Sequence, residues 1–158
     1  MNIFALDPCP YNSARQLCDK HVVKMALETA QILCTVRSKW GDETPYRPTH
    51  AKHPCVIWAS QTFDNYLWLT VHGIEICKEY TRRYGRTHAS EEVIKQCQDR
   101  LHTITPEQLP DTNQLTPFPL AMPDEYKVDC PHQSYRNYYK YGKAHILSYT
   151  NRLQPNWL

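Results

Sequence analysis

The sequence predicts an all-α protein that folds as a single compact domain, residues 1–158, of about four helices. Residues 13–39 contain neither Gly nor Pro, and apolar residues recur at helical spacing there and in residues 54–84. A chain of 158 residues suits one domain that buries about two thirds of its unfolded surface. The two long segments are therefore expected to be the central helices of one domain.

The N-terminal half is divided by its Pro and Gly residues. Residues 1–7 are apolar and short, which predicts an extended N-terminus, and two prolines break the chain before the first helix. Asn12 or Ser13 is expected to cap that helix, and Gly41 follows its end. The second long helix, 54–84, begins with a Pro and is followed by a Gly, which is the usual order of these residues around a helix.

The C-terminal half is predicted to contain two further helices. Ser90 precedes an acidic first turn and is expected to cap a helix over 90–104. Five prolines in 105–124 predict an extended connector that lies over the core. A last helix is predicted from Pro131 to about Asn151.

Composition excludes several classes of protein. The N-terminus lacks a basic segment and an apolar h-region, which argues against a secretory signal, and the chain has no apolar run long enough for a membrane span. Seven cysteines without a framework spacing predict reduced thiols and a cytoplasmic protein, in the host cell if the protein is viral. The net charge is only +2, but residues 82–88 and 135–143 interleave cations with aromatic or imidazole rings, a pattern suited to nucleic acid. A solvated helix end is the alternative interpretation of both clusters.

A narrow polar stripe runs along the first long helix. At about 100° per residue its members fall within a sector of roughly 80°, with apolar residues on both sides. A surface helix normally has one broad polar face, so a narrow stripe indicates a cleft. The members of this stripe are His21, Lys24, Glu28, Gln31 and Thr35.

The second long helix repeats this pattern. If the two polar stripes face each other, they line one pocket that can stack a planar ring on Trp58 or Trp68 and bond its edge through Gln61 or Asn65. Such a pocket suits a nucleobase; the alternative is that these are ordinary exposed helix residues. The members of the second stripe are Trp58, Gln61, Asn65, Trp68, His72, Glu79 and Arg83.

Three ordered motifs give the chain a family resemblance. They are Asp19-x-His21-x6-Glu28, His53-x4-Trp58, and a helix that ends in the basic segment 79–85. With these, the chain resembles the pyrimidine-dimer DNA glycosylases of the phage endonuclease V type, including a distant phage and bacterial branch. The aromatic and basic segment 139–144 is similar to the ending of that family, and the likeness covers most of 1–85 together with 135–145.

The resemblance implies a covalent mechanism. In such enzymes an N-terminal α-amine attacks C1′ of the damaged nucleotide, forms an imine and permits β-elimination, assisted by a carboxylate on the first helix. The resemblance assigns that carboxylate to Glu28, the neighbouring histidine to His21, and the amine to Met1 or Asn2. An α-amine ordinarily ionises near pH 8, far below a lysine, so much of it is nucleophilic at neutral pH.

The chain departs from the family pattern at the N-terminus and on the first helix. The family nucleophile is a small residue exposed by removal of the initiator Met, whereas Asn2 is bulky and disfavours that removal. Ile3, Leu27 and Gln31 stand where the family has Arg. These changes remove cations that would contact phosphates.

Two functions therefore remain open from the sequence. The first is a DNA N-glycosidase and abasic-site lyase; the second is a phage-type nucleotide-binding, sequestering protein without glycosylase activity. Both predict DNA or a nucleotide as partner and no membrane, and neither fixes the oligomeric state. The residues predicted to bind the ligand are Lys24, Gln31, His53, Trp58, Gln61, Asn65, Trp68, His72, Arg83, Arg136, Tyr139, Lys140 and Lys143.

No cofactor or metal is expected. Residues 50–55 and 130–132 contain His and Cys, but the chain has neither a paired CxxC nor an HExxH motif. Histidines in loops more often donate hydrogen bonds to the protein than bind zinc.

Overall fold

The computed structural model describes residues 1–158 and contains six α-helices and no strand. The helices are α1 (Pro10–Gln16), α2 (Asp19–Ser38), α3 (Pro54–Ala59), α4 (Phe63–Tyr84), α5 (Glu91–Asp99) and α6 (Pro131–Asn137). The all-α prediction is confirmed. None of the helices has the length and apolar character needed to cross a lipid bilayer.

Each long predicted helix is divided near its N-terminus. Leu17 and Cys18 are extended, so 13–39 splits into α1 and α2. Thr62 is also extended, and its hydroxyl accepts from the backbone N–H of Asn65, which starts α4 separately from α3. Helical periodicity continues through both breaks because the residues on either side still face the same core. The chain therefore has six α-helices where about four were predicted.

Several predicted boundaries are wrong. Helix α1 begins at Pro10 with Cys9 as its N-cap residue, and Ser13 instead bonds the backbone of the N-terminal segment. The segment 90–104 is helical only over α5 and a 3₁₀ turn at 101–103. After α6 the chain forms a π-helical turn over 138–142 and a 3₁₀ turn over 144–146, so the predicted helix to about Asn151 ends much earlier. Gly142 lies close to the rings of Tyr138 and Tyr126, where a Cβ atom would not fit.

The core forms between α2 and α4, with α1, α3 and α5 packed around them. A Cβ atom on Gly73 would lie 2.6 Å from Cγ2 of Thr29, so this glycine lets α4 approach α2 closely. The C-terminal residues Tyr135 and Tyr139 are fully buried in the same core, and the N-terminal segment Ile3–Leu6 is buried beside them. This arrangement places the N-terminus against α2, which positions the candidate site.

Candidate active site at the N-terminus

The amino group of residue 1 lies beside a buried carboxylate. The nitrogen of Met1 is 3.8 Å from Oε1 of Glu28, and the backbone N–H of Asn2 donates to Oε2 at 2.8 Å. Glu28 is only 7% exposed, and the side chain of Met1 is 2% exposed. Met1 is half-buried when the whole residue is counted, although its side chain is almost fully buried. The exposed atoms of Met1 therefore belong mainly to its main chain. The amino group thus lies beside a carboxylate that is almost fully buried.

The side chain of Asn2 fixes the position of this amino group. Its Oδ1 accepts from the backbone N–H groups of Ile3 and Phe4 and from the hydroxyl of Tyr135, and its Nδ2 donates to the carbonyl of Ala121. Two of these bonds join the N-terminus to α6 and to the connector, and the other two fix the turn at residues 2–4. A buried amide with all these partners is costly to displace. The N-terminus is thus held in one orientation over α2.

Polar groups surround the carboxylate on its open side. Lys24 is 66% exposed, and its Nζ lies 3.5 Å from Oε1 of Glu28. His53 is the N-cap of α3, where its Nδ1 accepts from the backbone N–H of Cys55, so the proton of the neutral ring is on Nε2. Burial lowers the pKa of His53, the positive N-terminus and His50 lower it further, and Glu28 opposes them. The site therefore holds a carboxylate, two amines and a neutral imidazole.

A groove adjoins Glu28 on the same face of α2. It has a volume of about 570 Å³ and is lined by Leu27, Gln31 and residues 45–49. Thr35 fixes the far wall, because its hydroxyl donates to the carbonyl of Thr49 and accepts from the N–H of that residue. We call this space the α2 groove. Its size suits a nucleotide.

His21 is buried beneath the site and packs against the N-terminal segment. Its ring stacks on Phe4 with centroids 4.1 Å apart, and its Nδ1 is 2.5 Å from the hydroxyl of Tyr139. Burial, followed by the charges of Lys143 and Lys24, lowers the pKa of His21 to about 3. The imidazole is therefore neutral at physiological pH. Phe4 holds its position with a positive φ of 53°, an uncommon conformation for a large residue.

The comparison with protein families gave one match. The profile of the family described as pyrimidine dimer DNA glycosylase matches residues 1–92, more than half of the chain. The chain belongs to this family. Comparison with curated proteins and with solved structures gave no match. Residue 1, His21, Glu28 and His53 all lie within the matched range.

The second polar stripe does not face the first one, so the prediction of one shared pocket is wrong. Asn65 is fully buried and bonds the carbonyl of Trp58 and both the N–H and the hydroxyl of Thr116. Gln61 is exposed and accepts from the same hydroxyl. These amides hold the connector on α3 and α4. Connector residues lie far away in sequence, and helical periodicity gives no sign of them.

The aromatic and charged members of that stripe are also part of the core. Trp58 donates to the carbonyl of Thr116, and Trp68 donates to the carbonyl of Pro8. His72 is fully buried against Trp68. Arg83 is 3% exposed and bonds the carboxylates of Asp19 and Glu79. Trp58, His72 and Arg83 contact protein groups instead of an open cavity. Trp68 lines a groove on α4, but that groove is separate from Glu28.

The C-terminal cluster, outside the matched part of the glycosylase family, is divided between core and surface. Tyr139 is buried beneath His21, and Arg136 bonds the carbonyl of Leu6 and the carboxylate of Asp7. Lys140 is exposed, and Lys143 is half-buried with its Nζ 4.9 Å from the centroid of the Tyr138 ring. Only the two lysines are free to contact a ligand.

Two contributions to the site were absent from the sequence prediction. Tyr135 holds Asn2, and the loop around Thr49 forms the wall of the α2 groove. Pro45 and Pro48 are the only signal in the sequence for that wall, and they indicate a loop without indicating its position. Tyr135 stood in a cluster that suggested surface stacking, whereas it is buried.

Proposed function

We propose that this protein is a DNA N-glycosylase and abasic-site lyase that acts through the α-amine at its N-terminus and Glu28. The observation that carries the proposal is the amino group of residue 1 at 3.8 Å from a buried carboxylate. Membership in the pyrimidine dimer DNA glycosylase family supports damaged DNA as the substrate.

The N-terminal amine and Glu28 supply the nucleophile and the base for the proposed reaction. The neutral amine attacks C1′ of the damaged nucleotide, and the bond from C1′ to the base breaks, so that the base leaves and takes up a proton. The bond from C1′ to O4′ then breaks, O4′ takes up a proton, and the nitrogen becomes part of an imine. Glu28 takes a proton from the attacking nitrogen and stabilises the cationic imine. A proton then leaves C2′, the bond from C3′ to oxygen breaks, and the 3′ phosphate departs. Hydrolysis of the imine releases the protein.

The reacting amine belongs either to Met1 or to Asn2, and both nitrogens lie close to Glu28. With Met1 present, its nitrogen is the one 3.8 Å from the carboxylate. If Met1 is removed, the nitrogen of Asn2, already 2.8 Å from Oε2, becomes the amine. The carboxylate thus serves either form of the N-terminus. The pinned side chain of Asn2 keeps that nitrogen in place.

Replacing the carboxylate tests its role. Glu28→Gln keeps the shape of the side chain and removes the base, so we expect β-elimination on abasic-site duplex DNA to fall by roughly 10²-fold or more. Glu43→Gln, at an exposed carboxylate without an ion-pair partner, is the matched control and should retain activity. Circular dichroism and thermal unfolding check that both variants fold. Unchanged elimination by Glu28→Gln would remove this residue from the mechanism.

Borohydride trapping tests the amine itself. We expect a covalent adduct with abasic-site DNA, and peptide mass mapping should place it on the N-terminal nitrogen. A chain with several extra N-terminal residues that are not removed should lose the adduct, because its amine then lies beyond both nitrogens that are close to Glu28. An adduct on Lys24, whose Nζ is also near Glu28, would contradict the assignment of the nucleophile.

The same experiment separates the alternative function. A nucleotide-binding, sequestering protein remains a candidate because the α2 groove beside Glu28 has nucleotide size and carries Gln31 and Arg47. Such a protein would bind a free or cyclic nucleotide and give no covalent adduct. Tight nucleotide binding without trapping therefore favours this alternative.

A further inference from the structure

A second groove, rich in cations, lies at the opposite end of α2 from the α2 groove. It has a volume of about 440 Å³ and is lined by Arg82, Tyr149, Asn151, Arg152 and Leu153. Its wall at 149–153 lies outside the part of the chain that matches the glycosylase family. We call it the basic groove.

The C-terminal segment is firmly attached here. The N–H and hydroxyl of Thr150 donate to the carboxylate of Asp19, and Nδ2 of Asn151 donates to the carbonyl of Arg83. Arg83 also donates to the carbonyl of Arg15. These bonds bring the start of α2, the end of α4 and the C-terminal segment together. The basic groove is therefore a built feature of the fold.

The acidic side chains in this region form ion pairs within the protein. Asp19 pairs with Arg83, and Glu79 pairs with both Arg83 and Arg152. Lys20 and Arg82, by contrast, are exposed and have no ion-pair partner. The surface around the basic groove is consequently positive, although the whole chain has a net charge of only +2.

The exposed face of α2 connects the basic groove to the active site. His88 bonds the carbonyl of Val23 at 3.0 Å, and Arg86 lies over the ring of Tyr80, which itself contacts His88. Lys20 precedes Glu28 by eight residues, or about 12 Å along the helix axis. Along duplex DNA this distance spans about three to four base pairs.

We propose that the basic groove binds the phosphate backbone of the substrate duplex, on one side of the reacting nucleotide and at least three base pairs from it. DNA phosphates can pair with the cations that have no acidic partner within the protein. Leu153, at the edge of the groove and 91% exposed, offers an apolar contact to deoxyribose. This contact replaces part of the phosphate binding lost where Ile3, Leu27 and Gln31 stand instead of Arg. The inference rests on the proposed function.

Duplexes of different arm length test the proposal. The probe is a duplex with a tetrahydrofuran abasic analogue, which cannot form the imine, and with arms of about ten base pairs, longer than the span to the basic groove. Fluorescence anisotropy measures its Kd when either arm is cut to about two base pairs, which falls short of that span. We expect one shortened arm to weaken binding by roughly tenfold and the other to have a smaller effect.

Charge reversal then assigns the arm effect to the basic groove. Arg82→Glu with Lys20→Glu should weaken binding of the long duplex by roughly tenfold, remove the arm effect, and lower the slope of log K against log salt by about two. Lys39→Glu, at an exposed site about 28 Å along α2 from Lys20, is the matched control and should behave as wild type. If the double variant fails to fold, Arg82→Gln alone should show half the slope change.

The possible failures are distinguishable. Absence of both abasic-DNA binding and borohydride trapping in the wild type overturns the proposed function. Normal trapping together with an arm effect that survives charge reversal overturns the assignment of the basic groove. An equal loss of affinity for long and short duplexes in the charge-reversed variant does the same, because it shows a contact at the lesion itself.

Discussion

A buried imidazole without a hydrogen-bond partner stands out among the single residues. His72 is fully buried, stacks on Trp68 with centroids 4.7 Å apart, and neither ring nitrogen has a partner. Burial lowers the pKa of His72 to about 3. In the unfolded chain a histidine ionises near pH 6.5. Between these values the unfolded state binds the extra proton, so the free energy of unfolding falls as the pH falls below about 6.5.

Replacing His72 should therefore stabilise the protein, most of all in acid. His72→Leu removes an unsatisfied polar group, and we expect the free energy of unfolding to rise by about 1 kcal/mol at pH 7. Below pH 6.5 the difference should grow by up to about 1.4 kcal/mol per pH unit, because leucine binds no proton. Urea unfolding at several pH values measures this, with exposed His102→Leu as control. A constant difference at all pH values would show that His72 does not titrate on unfolding.

At the scale of elements, the contact between α2 and α4 depends on one missing side chain. The ideal Cβ position on Gly73 is 2.6 Å from Cγ2 of Thr29 and 3.2 Å from Cδ1 of Ile94. Glycine inside a helix ordinarily costs stability, so its presence here reflects packing. The close approach of α4 keeps α2 in the orientation that presents Glu28 to the N-terminus.

Gly73→Ala should force the two helices apart. Overpacking of this kind costs about 2 kcal/mol, and we expect the loss in urea unfolding. Thr29→Ser removes the methyl group that a new Cβ would meet, so the double variant should recover most of that stability. Gly41→Ala, which meets no atom within 4 Å, separates this effect from backbone strain at a turn. Failure of Thr29→Ser to restore stability would show that the strain arises elsewhere.

At the scale of the whole molecule, the helical pattern of the sequence predicted the polar residues that α2 contributes to the site. It did not predict the contacts that segments distant in sequence make. The spacing of His21, Lys24 and Glu28 predicted a sheltered polar stripe, and the structure places all three at or beneath one site. On α4 the same kind of pattern misled, because Asn65 and Arg83 find partners 51 to 64 residues away. A buried polar residue that is paired and one that faces a cleft have the same periodicity, so only the tertiary contacts separate them.

The pair of Asp19 and Arg83 joins three distant parts of the chain. Burial raises the pKa of Asp19, but hydrogen bonds from Thr150 and then Arg83 outweigh it and hold the pKa below its usual value. A carboxyl with a lowered pKa stabilises the folded state above its unfolded pKa, near 3.9. That contribution is lost as the pH falls through the folded value. The start of α2, the end of α4 and the C-terminal segment should therefore loosen together in acid.

Asp19→Asn should break this junction at neutral pH. The buried guanidinium of Arg83 then loses one carboxylate, which costs about 3 kcal/mol in the free energy of unfolding. Asp129→Asn, at an exposed and unpaired carboxylate, should cost almost nothing. Hydrogen exchange should show faster opening of residues 148–152 in Asp19→Asn, and its stability should fall less than that of wild type as the pH is lowered below about 4. Wild-type protection of 148–152 in this variant would show that the C-terminal segment is held without Asp19.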